Sequence, residues 1–139
     1  MTAMEVMRKL SKISSLKKEI RAKEQALSEL MTQATHITSI LSHAKVFTDS
    51  SSSAPENYAV RSYELRLDME EGMDELVSEL DECLRMINTV KEPLIRSILI
   101  DYHINLLNVT QLCEKYHYSE RQMYNLRMRG YNFIADHFH

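Results

Sequence analysis

Residues Ile13 to Leu41 read ISSLKKEIRAKEQALSELMTQATHITSIL, and the spacing of their apolar side chains decides the fold. Ile13, Leu16 and Ile20, then Leu27, Leu30, Ala34, Ile37 and Leu41, recur at steps of three and four, the heptad spacing that puts them in one seam along a helix. Val6 extends the register backwards. Lys23 stands in the seam and interrupts the apolar line. Two readings of it are open: a long side chain snorkelling out of the seam, or a polar device that sets register or partner.

A second seam follows in Met69, Met73, Leu76, Leu80, Cys83, Ile87 and Val90, with Tyr63, Leu65 and Leu67 widening its start. Residues 44–55, with the run Ser50-Ser51-Ser52-Ser53 and then Ala54-Pro55, read as an exposed linker that lets the second helix turn back along the first. Pro93 ends the second helix or opens the next one. The expected fold is all-α: an antiparallel two-helix coiled-coil hairpin, then a small C-terminal helix-turn-helix head. Helices are expected over about 4–43 and 56–91, with the hairpin occupying residues 1–92 and the head 93–139.

Composition supports long helices. The 139 residues include two Gly and two Pro, which leaves few places for tight turns. The formal charge of −3 hides a division: residues 1–43 carry +3, residues 44–92 carry −7 and residues 93–139 carry +1. An antiparallel pairing sets the basic arm beside the acidic one, worth only tenths of a kcal/mol per exposed pair. Seam burial must supply most of the stability, and because two helices make a thin core, a homodimer through the hairpin is expected.

No apolar run approaches the ~20 residues of a membrane span, and Met1 to Leu10 lack the apolar stretch of a secretory signal. No membrane partner and a cytoplasmic location are therefore expected. Cys83 and Cys113 form no CxxC pair and read as reduced, buried packing residues. His36 and His43 lie two helical turns apart, too far for chelation, and no Cys/His spacing matches a zinc site. Gly72 and Gly130 make no phosphate loop. The carboxylates from Glu64 to Glu82 read as a solvated helical face rather than an acid–base pair. Neither an enzyme nor a cofactor or metal is expected.

The last third changes texture. Leu94, Ile98, Leu99 and Tyr102 give one helix an inner face, and Ile104 to Asn108 read as a bend. Thr110 is expected to cap a short helix whose Leu112 and Cys113 face inwards. Ser119-Glu120-Arg121-Gln122 is a capping box that opens another helix after the short connection His117-Tyr118. A short helix, a tight turn and a capped helix form the helix-turn-helix pattern, whose second helix enters the major groove. The candidate DNA-binding residues are Lys115, Ser119, Glu120, Arg121, Gln122, Tyr124, Asn125, Arg127 and Arg129. Met123, Leu126, Phe133 and Ile134 are expected inside. Arg and Gln can read guanine and adenine edges, while Arg127 and Arg129 are expected near the phosphates. Between residues 115 and 129 the four basic side chains and Glu120 leave +3, a modest footprint in the right place.

The stretches LIRSILIDYH (94–103), VTQLC (109–113) and YSERQMYNL (118–126) resemble the ArpU-type late transcription regulators and related small proteins of phages and prophages. So do Ala34-Thr35-His36-Ile37-Thr38-Ser39, the serine linker and the acidic second helix, so the likeness covers most of the chain. It departs at Val109, Leu112 and Cys113, where the family's first helix carries an aromatic residue and an Ile-Ala pair. The C-terminal part of that family is similar to region 4 of bacterial sigma factors. The resemblance implies sequence-specific binding of double-stranded DNA in the cytoplasm of a host cell, with host RNA polymerase as a further partner. The competing expectation is a helical protein–protein interaction module, an inhibitor or adaptor that uses the long arm and never touches DNA.

Overall fold

The computed structural model describes residues 1–43 and 53–138, with side chains described for 1–36 and 56–138. Among the described residues there are five helices and no strand: α1 (Ala3–His43), α2 (Ser53–Asn88), α3 (Pro93–His103), α4 (Val109–Tyr116) and α5 (Glu120–His137). Residues 44–52 of the expected serine-rich linker, and the side chains of Ile37 and Leu41 in the expected seam, lie outside the described residues. The chain divides into two compact units, Met1–Lys17 with Glu75–His139, and Lys18–Asp74.

In the first unit the two long helices run antiparallel. Lys9 meets Glu82 at 2.8 Å and Lys12 meets Glu79 at 3.2 Å and Glu75 at 3.1 Å, so positions climb on α1 as they fall on α2. These are half-exposed ion pairs and contribute little. The cohesion comes from Val6, Leu10 and Ile13 packed with Cys83, Met86, Ile87 and Val90, all at most 2% exposed. Burying each such side chain contributes about 1.5–3 kcal/mol. The same buried cluster continues into the C-terminal helices through Ile95, Leu99, Tyr131 and Ile134. It therefore crosses the 92/93 position without interruption.

The join is built locally. Pro93 occupies the first turn of α3, where its missing N–H is no loss and its fixed φ suits the helix. Arg96 donates from Nη1 to the carbonyls of Val90 at 2.6 Å and Lys91 at 3.1 Å, satisfying acceptors just past the end of α2. Lys17 Nζ donates to the Ile104 carbonyl at 2.5 Å just beyond α3.

The second unit repeats the antiparallel pairing with a thinner interior. Ile20 is buried; Lys23, Leu27, Leu30 and Ala34 are only partly covered, as are Ser62, Leu65, Met69 and Gly72 of α2. Lys23 stays in line with the seam and turns its ammonium one turn back to Glu19 at 3.2 Å, the behaviour of a snorkelling stem. The second seam departs from expectation at one place: Met73 is 43% exposed and Gly72 takes the inward position. An apolar residue beside a glycine was the more visible of the two in the sequence, but the packing chooses the position that faces Ile20.

The two glycines predict opposite outcomes. A Cβ at Gly72 would sit 3.5 Å from Ile20 Cγ1, an ordinary contact, so Gly72→Ala is expected to raise stability by about 1 kcal/mol through helix propensity. A Cβ at Gly130 would lie 2.8 Å from Ile95 Cγ2 and 2.9 Å from Leu99 Cδ1. Overpacking of about 1–3 kcal/mol outweighs the propensity gain there, so Gly130→Ala is expected to destabilise. Urea midpoints of the two variants check both signs.

Candidate nucleic-acid interface

The C-terminal helices carry a second buried cluster of their own, Ile98 of α3, Leu112 of α4 and Met123 of α5, ringed by Tyr102, Leu107, Cys113, Tyr116, Tyr118 and Leu126. The starts of α4 and α5 are each fixed by a side chain. α4 opens on Asn108, whose Oδ1 accepts from the Gln111 backbone N–H at 2.8 Å while Gln111 Oε1 accepts from the Asn108 N–H at 2.9 Å. This corrects the expected cap at Thr110, which lies inside the helix. Asn is the stronger cap, and the Gln three residues later completes the reciprocal pair.

The bend before α4 falls where the sequence placed it. Leu106 adopts a left-handed φ of 59° and the Leu107 N–H donates to the Asp101 carbonyl at 2.9 Å. The Asp101 carboxylate, 6% exposed, then ties α3 to α4, accepting from Asn105 Nδ2 at 2.9 Å, Lys115 Nζ at 2.7 Å and Tyr116 OH at 2.5 Å. Burial alone would push this carboxyl up, but the three donors overcome it and hold it below the usual value.

Three residues separate α4 from α5. His117 takes a left-handed φ of 58°, which ends α4, and Ser119 caps α5 with the expected box. The Ser119 Oγ accepts from the Gln122 N–H at 3.2 Å, and Gln122 Oε1 accepts from the Ser119 N–H at 3.0 Å. No glycine marks this corner, so its left-handed residue carried no sequence signal.

Glu120, Arg121, Gln122, Tyr124 and Asn125 are all exposed, Tyr124 at 55%, while Met123 is fully buried. Arg121, Tyr124 and Asn125 share one ridge, being three and four residues apart. The other expected cations are engaged. Lys115 holds Asp101 and Arg129 holds Glu92 at 2.6 Å, although both side chains stay more than half exposed. Arg127 is turned inward: its guanidinium lies 4.3 Å from the centre of the Tyr102 ring, and its Nε is buried without a hydrogen bond. Arg127 falls six residues after Arg121, about 120° around the helix from it, so it borders the ridge on the Tyr124 side and can turn inward.

A buried polar contact also joins α3 to α5. His103 is 3% exposed and its Nε2 shares a 2.7 Å hydrogen bond with the Tyr131 hydroxyl, linking α3 to α5. Burial, with Arg127 nearby, pushes the imidazole down to about 4, and burial pushes the phenol up to about 12. Both groups are therefore neutral at pH 7. Their separation of twenty-eight residues gave no local pattern to find. Among the described residues no group of three His, Cys, Asp or Glu could hold a metal ion, and no helix is long and apolar enough to cross a membrane. Comparison with protein-family models, curated proteins and solved structures finds no match for the chain.

Proposed function

We propose that the chain is a sequence-specific DNA-binding regulator of the phage late type, in which α4 and α5 form a helix-turn-helix and the first two turns of α5 enter the major groove. The observation that carries this reading is the left-handed corner at His117 followed by an exposed, capped helix start. Such a corner lets one helix cross the DNA backbone while the next presents its N-terminal side chains to base edges. Arg121, Tyr124 and Asn125 supply that edge, with Met123 anchoring it from behind.

The charge available is small. Arg127 is withdrawn onto Tyr102, and Lys115 and Arg129 already hold carboxylates. A single head then neutralises roughly two or three phosphates, giving a salt slope of about −2 to −3. Binding at useful affinity requires either a second copy, joined through the thinly covered helical faces of residues 18–36 and 56–74, or a polymerase that holds the protein at the promoter.

One observation favours the second reading, an interaction module. Val60, Tyr63 and Leu67 form a stripe on α2 with three and four residue spacing, and are 54%, 65% and 41% exposed. A protein partner could cover them. Fluorescence anisotropy on labelled duplexes, including phage late-promoter fragments, at 50 and 200 mM salt (about a fourfold change) separates the two. On the DNA reading, affinity falls with salt and Arg121→Ala weakens specific binding by about tenfold, the loss of one base-reading pair. Affinity that ignores salt, or that survives Arg121→Ala unchanged, leaves only the interaction module.

A further inference from the structure

We infer that Gln122 positions the reading helix and does not read a base, so that base recognition falls to Arg121 and Asn125. This rests on the DNA reading above and assigns the roles within its site. A glutamine reads adenine by two hydrogen bonds at once, its carbonyl oxygen accepting from N6 and its amide donating to N7. In this structure the carbonyl oxygen is already occupied. Gln122 Oε1 accepts from the Ser119 backbone N–H at 3.0 Å and from the Ser119 hydroxyl at 3.1 Å, which fills both of its lone pairs.

The same arrangement occurs at the start of α4, where Gln111 Oε1 accepts from the Asn108 N–H at 2.9 Å. Two glutamines in equivalent places close equivalent boxes, so the role belongs to the helix start and not to a particular base. What Gln122 has left is its amide group, which makes no hydrogen bond among the described residues. Two free donors at a helix N-terminus suit a phosphate oxygen, a contact that fixes orientation and carries no sequence.

Arg121 and Asn125 differ from it. Both are exposed, and neither side chain has a hydrogen bond or ion pair among the described residues. They lie one turn apart on the same ridge, with Cβ atoms about 6 Å apart, a distance matching about two base-pair steps. Arg121 offers the paired donors that suit guanine O6 and N7, and Asn125 the donor and acceptor that suit adenine N7 and N6. The expected element is a guanine and an adenine within two base pairs of each other.

The test is selection from a random-sequence duplex pool with the full chain, followed by sequencing, repeated with Gln122→Glu, Gln122→Ala and Asn125→Ala. Gln122→Glu keeps the capping box, so it should bind all sequences several-fold more weakly and enrich the same element. Gln122→Ala, which loses the box, should also keep the element. Asn125→Ala should lose the preference at the adenine and retain it at the guanine. A changed base preference in either Gln122 variant overturns the assignment, as does an intact preference in Asn125→Ala. If the unmodified chain enriches no sequence, the DNA reading itself fails and the assignment falls with it. Thermal melting of each variant, expected to stay within a few degrees of the parent for Asn125→Ala, separates lost recognition from lost folding.

Discussion

Replacing Leu10 with alanine is expected to lower the stability of the first unit by about 2–5 kcal/mol, the range for truncating a fully buried leucine. Leu10 is 0% exposed and belongs to the same buried cluster as Ile95, Leu99, Tyr131 and Ile134. The cost should therefore appear far from residue 10 in sequence. Amide exchange in the second half of α5 should accelerate together with exchange in α1 and the end of α2, in one cooperative step. The consequence for function is direct. The exposed turns of α5 belong to a helix whose other half shares the buried cluster of α1 and α2, so residues 93–139 cannot be cut free at Pro93 without exposing that cluster. Urea unfolding followed by amide exchange checks the claim. A Leu10→Ala protein whose α5 amides exchange at the parent rate, while α1 amides do not, would show that the cluster is not one energetic unit.

What the sequence made legible was periodic. Ile13, Leu16 and Ile20 are buried as the heptad required, and so are Cys83, Ile87 and Val90. Ser119 announced its helix because a capping box is a local pattern that closes within Ser119 to Gln122. What stayed hidden was longer in range or depended on competition between neighbours. Asn108 and Thr110 both can cap, and the winner is decided by whether Gln111 stands three residues later. Gly72 and Met73 both can face a seam, and the closer approach of Ile20 decides between them. Arg127 looked like a phosphate ligand by its charge alone, yet helical rotation places it against the Tyr102 ring, where a guanidinium is held by cation–π attraction. Tyr131, the largest fully buried side chain among the described residues, shares the inner face of α5 with Ile134 three residues on, but its hydroxyl gave no sign of a buried partner. That hydroxyl is satisfied by His103, and the pairing exists only after α3 and α5 have met.

The His103–Tyr131 pair is expected to make the fold sensitive to acid. In the unfolded chain the imidazole titrates near 6.5, and in the folded chain it is held near 4. Between these values the unfolded chain takes up a proton that the folded chain refuses, so stability falls as the pH is lowered through this window. The full difference is worth about 3 kcal/mol, at 1.36 kcal/mol per unit of pKa, and most of it is gone by about pH 4.5. The physical cause is the surroundings of the ring. Protonated His103 would sit buried at 3% exposure, beside the Arg127 cation, with Tyr131 and Tyr102 as its neighbours and, among the described residues, no carboxylate bonded to it. Asp101 acts lower on the scale. Its carboxyl is held below the usual 3.8 in the folded chain, so its contribution is complete above that value and is lost only as the pH falls further. Urea midpoints measured from pH 7.5 to 4.5 should therefore drop for the parent protein, before Asp101 begins to count. His103→Gln should be less stable at pH 7, having lost the fit to Tyr131, and should show a much flatter profile across the same range. A parent profile that is level from pH 6.5 to 4.5, or a His103→Gln profile as steep as the parent's, would remove His103 as the cause.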